Sequence, residues 1–442
     1  MSPPVSPVSS ASTIPSRIDV VVIGGGMAGV AAGYELARRG TSVAIVEKGL
    51  VSGEQSSRNW GWCRQQNRDP RELPLAQLAM RIWAGLNADL GEDTGFRRTG
   101  LVYASGNPAD VASWEKWSQI ARAFDVDTRM LTTAETAALL PGNSRNWVGG
   151  VHSPTDGRAE PQLAVPALAR AAQRAGAVIV QNCAVRAFET EAGRLSGVVT
   201  ERGPIRCSAV LVAGGAWSGM LLRHHGVRFL QASVKSTCFY TEPAAAVTEG
   251  GISMQNVALR RRLDGGYTVG LSGQGQLQIA PWGLMQAKAF WPTFQARRKG
   301  LTFAIGRQFF EGPEAFSRWR ADSVSPFERV RVLDPAPDRR LIDKGLERLR
   351  NIYPQLAGLK VAQAWGGMVD STPDAIPVIA PVKAQPGLFI ASGFSGHGFG
   401  IGPAAGRLAA DLIRDDAPCV DPTPYRYERM IDGTDFGKPG ML

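Results

Sequence analysis

Two hydrophobic periods divide the chain. Residues 18–23 (IDVVVI) form a β-branched run of the kind that becomes a buried parallel strand. Six residues carrying four glycines follow, then helical spacing over 30–39 that Gly40 ends. Residues 41–46 (TSVAIV) predict a second strand, with Glu47 at its end. Farther on, 159–175 reads as a helix entered through Pro161, a suitable first-turn residue. Strands are predicted over 177–180, 184–190 and 195–199, and a buried one over 207–213 (CSAVLVA) that runs into Gly214 and Gly215. Strand patterns recur across 251–273, with a hairpin turn at Asp264-Gly265-Gly266. Residues 307–316 fit either period. A helix is predicted over 338–353, extended chain over 363–379 and 388–391, and an amphipathic helix over 403–414.

The first block has the form GxGxxG between strand and helix, with an acid 23 residues after the first glycine. Gly24 permits the tight turn, Gly26 admits a pyrophosphate to the backbone, and Gly29 lets the helix pack on the strand. Met27 and Ala28 open the helix, whose free N–H groups and partial positive charge suit a diphosphate. Glu47 is placed to accept hydrogen bonds from adenosine ribose hydroxyls, with Lys48 beside it. The motif by itself does not separate NAD from FAD. A second glycine-rich stretch, Gly393 to Gly402, leads straight into the predicted 403–414 helix and offers another helix start to negative charge. Two such starts are what a dinucleotide lying between domains requires.

The strand–helix–strand pieces cluster early, in the middle and late, with β-rich stretches between. That predicts α/β plus α+β architecture: a Rossmann-like nucleotide-binding domain from 18–90, 150–223 and 361–415, and a β-sheet-rich substrate domain from 91–149 and 224–360. Residues 1–17, rich in Ser and Pro, are expected to be a disordered tail, and 416–442 a C-terminal tail along the surface.

Composition narrows the classes. With 44% hydrophobic and 20% charged residues, the 442-residue chain reads as globular. No apolar stretch reaches the roughly 18 residues of a membrane span. Residues 1–17 lack the apolar core of a secretory signal, so a cytoplasmic location is expected. Five dispersed cysteines argue against a disulfide framework, and four histidines against a histidine-built metal centre. The net charge of +10 points to an anionic cofactor or substrate, or to an Arg-rich surface. Nucleic acid is disfavoured as a partner, because the basic residues are spread along the chain without an RNA-binding module.

Three blocks together resemble the FAD-dependent D-amino-acid oxidase superfamily, in its branch of glycine oxidases, sarcosine oxidases and amine dehydrogenases. They are residues 20–49, the middle block with Asp156-Gly157, Val185 and VLVAGGAWS (210–218), and WGGMVDSTPDAIPVI (365–379) followed by 391–413. The resemblance implies FAD rather than NAD, bound non-covalently, since the flavin-linking cysteine of sarcosine oxidases falls at Gly367. It places Val185, Ala213, Gly214 and Trp217 near the adenine half. It places Ser57, Arg58, Asn59, Trp60, Gly61 and Arg64 beside the isoalloxazine, together with Gly367, Gly393, Gly396, His397, Gly398 and Ile401. Arg64 and His397 are the candidate catalytic residues; Trp60 and Trp62 could wall a pocket.

The implied activity is oxidation of a C–N bond of an amine or amino acid by hydride transfer to flavin N5, followed by imine hydrolysis. Oxygen or another acceptor would reoxidise the flavin. The surplus of arginine favours a carboxylate-bearing secondary amine such as an iminodiacid. Two alternatives stay open: a flavin subunit of a heteromeric dehydrogenase, and an RNA-associated flavoprotein. The chain departs from the family where substrate carboxylates are held. Val369 and Asp370 stand where an arginine precedes the TPD triplet, and Gly400 stands where sarcosine oxidases carry a lysine. Arg58, Arg64, Arg97 and Arg262 are the remaining candidates. Arg97 with Arg98, and the run Arg260-Arg261-Arg262, read more simply as solvated surface.

Overall fold

The computed structural model describes residues 2–254 and 256–437. Its first sheet has six strands in the order Val378–Pro381, Leu388–Ser392, Ala209–Val212, Val20–Ile23, Val43–Val46 and Val178–Val180. All neighbours run parallel except the edge strand Val378–Pro381. Strand alternation divides the sheet cleanly. Val20, Val22, Val43, Ile45 and Leu211 enter one core, and Val21, Ala44, Val46, Val210 and Val212 enter another. The first core is covered by the helices Met27–Arg38, Pro161–Arg174 and Gly398–Arg414. The second is covered in part by the antiparallel strands Val185–Glu191, Arg194–Thr200 and Gly203–Arg206, through Phe188, Val198 and Ile205. Burial on both faces explains why these strands are unbroken apolar runs.

The helices Met27–Arg38 and Gly398–Arg414 cross closely. A Cβ on Gly402 would lie 2.3 Å from Met27 Cγ, and one on Gly406 would lie 2.4 Å from Ala31 Cβ. Absent side chains therefore set the spacing between the helices that follow the two glycine-rich loops.

The second sheet has ten strands and forms the other wall of the molecule. Its longest pairing joins Ala232–Thr241 to Val361–Ser371, antiparallel from Ala232↔Ser371 to Thr241↔Val361. Two expected boundaries change here. Val361–Ser371 and Gly149–Ser153 belong to this large sheet, not to the nucleotide-binding sheet. Apolar alternation reveals a strand and its two faces but not its neighbours.

Three further expectations are corrected. Residues 2–17 carry no regular element, yet they are docked rather than disordered. Ser6 N–H donates to Gln162 O, Ala11 N–H to Ile179 O, and Arg17 bridges to Arg206. The late helix begins at Gly398, five residues before Pro403. Packing of Gly400, Gly402 and Gly406 against neighbours overrides the poor helix propensity of glycine. Helices also form over Leu73–Leu90, Pro108–Ala123 and Pro281–Arg297, the last two inside stretches read as β-rich.

Candidate active site

The early loop turns as its glycines require. Gly24 has φ +115°, and a Cβ there would strike Ala213 O at 2.4 Å; one on Gly29 would strike Gly24 O at 2.2 Å. Met27 N–H donates to Ser56 Oγ (2.8 Å), tying the helix start to the 54–59 segment. Glu47 is half-buried, and its loss of hydration pushes the carboxyl up against the pull of Lys48 and two amides. Its Oε2 accepts from Gly25 N–H and its Oε1 from Gly49 N–H, both at 2.7 Å. Each oxygen keeps a lone pair for another donor.

Lys48 lines the cavity and is fully engaged within the protein. Its Nζ donates to Glu54 Oε1 (2.8 Å) and to the carbonyls of Val330 and Arg331 (both 2.9 Å), and lies 4.6 Å from the Trp217 ring centroid. All three protons are used, so Lys48 braces the wall that Glu54 and Trp217 form. Arg58 likewise works as a clamp. It donates to Leu333 O (2.6 Å), Gly366 O (3.1 Å), Gly53 O (3.2 Å) and Ser2 Oγ (2.6 Å), and burial lowers its pKa. Asn59 steadies the same loop through Ser56 O and Gly61 N–H.

The late loop is tied by side chains. Asp370 Oδ2 accepts from Gly393 N–H (2.9 Å), and Asp370 O accepts from Ser395 N–H (2.7 Å). Burial pushes the Asp370 carboxyl up to about 6. His397 precedes the helix, with Nδ1 3.2 Å from Glu72 Oε2. Burial, aided by the Arg68 charge, pulls its imidazole down to about 4, so it is neutral at pH 7. Arg68 itself is buried with Nε and Nη1 unpartnered, and burial brings its pKa down to about 9.

Both loops open on one cavity of about 850 Å³. Gly24, Gly26, Met27, Ala28, Glu47 and Lys48 line one part of it. Val185, Ala213, Gly214 and Trp217 lie on the same wall. Arg58, Asn59, Trp60, Arg64 and Gly367 reach it from the middle, and Gly396, His397 and Gly398 from the late loop. Gly29, Ser57, Gly61, Gly393 and Ile401 stay behind that surface. Gly29 packs on Gly24, Gly61 lies against Ala159 and Arg260, and Ser57 donates to Glu54 O. Their part is to shape the loops.

Other side chains complete the site. Asp156 accepts from the amides of Gln65 and Gln66 (2.8 and 3.1 Å), fixing the turn that carries Arg64; burial raises it to about 6. Arg64 donates to Gln66 O. Trp60, Trp62, Tyr103 and Trp114 form a chain of ring contacts at 5.2, 6.3 and 5.8 Å along the chamber. The supposed surface run is partly core: Arg260 is 1% exposed, doubly bonded to Glu160 (2.8 and 3.0 Å) and to Trp60 O (2.7 Å). Cys63 is buried, and burial raises its thiol well above the usual value, which removes it as a nucleophile.

The cavity fits a flavin dinucleotide. It joins two glycine-lined helix starts, and buried polar atoms on its walls, Gln55 Oε1 and Trp62 Nε1, lack partners among the described residues. Fold and site thus define a two-sheet nucleotide-binding oxidoreductase with its reaction chamber between the sheets. Residues 19–412 match the FAD dependent oxidoreductase family DAO, and the chain belongs to that family, with FAD as its cofactor.

Among solved structures, L-amino acid deaminase from Proteus myxofaciens superposes with a TM-score of 0.92 at 31% identity, covering 97% of each chain. Sarcosine oxidase subunit beta of Rhizobium meliloti is 25% identical over 94% of this chain and 89% of its own. Glycine oxidase of Geobacillus kaustophilus is 25% identical over 96% and 99%. No helix among the described residues is long and apolar enough to cross a membrane.

Proposed function

We propose that this flavoenzyme oxidises the C–N bond of an amino acid or a related amine. FAD, when bound, supplies the two-electron acceptor. The C–H bond beside nitrogen breaks with its electron pair as hydride, the nitrogen lone pair forms C=N, and water then hydrolyses the imine to a carbonyl compound and an amine or ammonia. The protein's part is positioning and charge. The Gly398 helix start and Arg64 present positive potential to the flavin end of the cavity, where reduction builds negative charge. The aromatic wall excludes water and orients an apolar group. His397, neutral at pH 7, adds no charge of its own.

The single observation that carries this reading is the continuity of both glycine-rich loops with an aromatic chamber in one cavity. The relatives support it, being named for glycine, sarcosine and L-amino acids. The test is anaerobic titration of the FAD-loaded chain with a panel of amines and amino acids. Loss of the oxidised-flavin absorbance with one compound class supports the proposal, and recovery in air separates oxygen from another acceptor. No bleaching by any member, with the flavin fully loaded, overturns it for the isolated chain. The same panel run on the isolated chain also tests the subunit reading, since the Rhizobium meliloti relative is named as a beta subunit.

A further inference from the structure

The chamber needs a group to hold a carboxylate, and of the four arginines suggested by sequence Arg58 and Arg64 line it while Arg97 and Arg262 do not. Arg58 is spent on main-chain carbonyls. Arg97 pairs with Asp93 (2.8 Å) at the surface. Arg262 pairs with Asp264 (2.8 Å) and lies 4.2 Å from the Tyr240 centroid, outside the chamber. Arg64 is held by Gln66 O beside the flavin loop.

The helix Pro281–Arg297 brings another. Gly283, Leu284, Ala287, Phe290, Trp291, Thr293, Phe294 and Arg297 line the cavity, most of them three or four residues from another member. That spacing is one helical face, and Arg297 is the one charged side chain among them. The helix contains no acid at all. Arg298 and Lys299, exposed in the next turn, suffice to complement its C-terminal dipole. Arg297 is half-buried, with no ion pair or hydrogen bond among the described residues, and burial lowers its pKa with no carboxylate opposing. A guanidinium withdrawn from water without a counter-ion is costly unless an anion joins it.

We propose that Arg297 is the anion anchor of the chamber, taking a carboxylate of the substrate in a paired guanidinium–carboxylate contact. Planar paired donors are what such a group requires. The role rests on the reading that amino acids enter this chamber, and it makes the enzyme selective for amines that carry a carboxylate over those that do not.

The experiment uses FAD-loaded protein and benzoate, a carboxylate that cannot be oxidised at a C–N bond, followed by the shift it causes in flavin absorbance. Benzyl alcohol serves as the uncharged control. Arg297→Met is expected to weaken benzoate by about a hundredfold and Arg297→Lys by about tenfold, with benzyl alcohol unchanged. In turnover, R297M raises KM for a bleaching amino acid far more than for the amine lacking its carboxylate. Should R297M fail to hold FAD, R297K decides, its loss confined to benzoate. Benzoate affinity within threefold of wild type (about 0.7 kcal/mol) in a variant that retains FAD overturns the anchor. So does a wild-type protein that binds no carboxylate. If no amine bleaches the flavin yet benzoate binding still depends on Arg297, the anchor stands and the catalytic reading falls.

Discussion

The two glycine-rich loops that meet at the cavity are secured by different physics. The early loop is fixed by backbone geometry and by apolar layers. Gly24 turns against Ala213, Gly29 packs on Gly24, and the strand and helix on either side are buried except at Ile23, Tyr34 and Arg38. The late loop is fixed by buried ionisable groups: Asp370 on the amide of Gly393, and His397 against Glu72 with Arg68 alongside. The first has one titratable tie, Glu47 on the amide of Gly25, while the second rests on several, so the second should respond to pH more strongly. The difference places rigid shape at the diphosphate and tunable charge beside the reacting end.

Gly29→Val should break the early loop with the largest effect. Its Cβ has no space before Gly24 O, so we expect more than about 3 kcal/mol of destabilisation and no FAD in the purified protein. A thermal melt and the flavin absorbance read both. A Gly29→Val protein that keeps FAD and wild-type stability would remove the packing account of that loop.

His397→Asn sharpens the contrast through pH. The imidazole titrates at about 4 in the fold against 6.5 as its ordinary value. Its folded pKa is depressed, so as pH falls through 6.5 the unfolded chain takes the proton and the fold does not. Wild type therefore loses stability from this group between pH 6.5 and 4, and the variant does not. The difference in Tm, variant minus wild type, should rise on going from pH 7.5 to 4.5; a flat difference contradicts the assignment.

Asp370→Asn should behave in the opposite sense. Its folded pKa, about 6, lies above the ordinary 3.8, so the stability it contributes is fully present below 3.8 and is lost as pH rises through 6. Relative to wild type, the amide should gain most near pH 8 and least near pH 4. Melts of the two proteins at both pH values check this.

The smallest effect is expected at Arg97→Ala. An exposed pair with Asp93 is worth roughly 0–1 kcal/mol, and FAD affinity should not change. Titration of FAD into the two apoproteins measures that directly.

The same contrast explains what could be read from the sequence. The early loop follows local rules: a β-branched strand, glycines at set spacing, a helix, and an acid at the end of the next strand. Each is visible within some thirty residues. The late loop was visible as glycines, but its helix starts at Gly398 because neighbours pack on Gly400, Gly402 and Gly406, contacts that no local pattern shows. Lys48 and Arg58 sit beside the cofactor segments in sequence, yet their protons go to segments nearly three hundred residues away. Arg68 and Glu72 carry no motif, and only folding assembles them, with Asp156 of the middle block, behind Arg64 and His397. Arg260 shows the hazard of composition: the middle of a basic run is among the most deeply buried residues of the chain. Arg297 belongs to a helix whose apolar residues include the exposed Leu284, Met285 and Trp291, two of which also line the cavity, so its inward face had no contrast to mark it.

The central claim is that one FAD extends from Glu47 to the late loop. A crystal structure of the chain purified with FAD tests it most directly. The account predicts continuous density for a single molecule, with the adenosine ribose on Glu47, the diphosphate at the start of the Met27–Arg38 helix, and the ring system against Gly396–Gly398 near Arg64. Density confined to the early loop, or two separate molecules occupying the two loops, would contradict it.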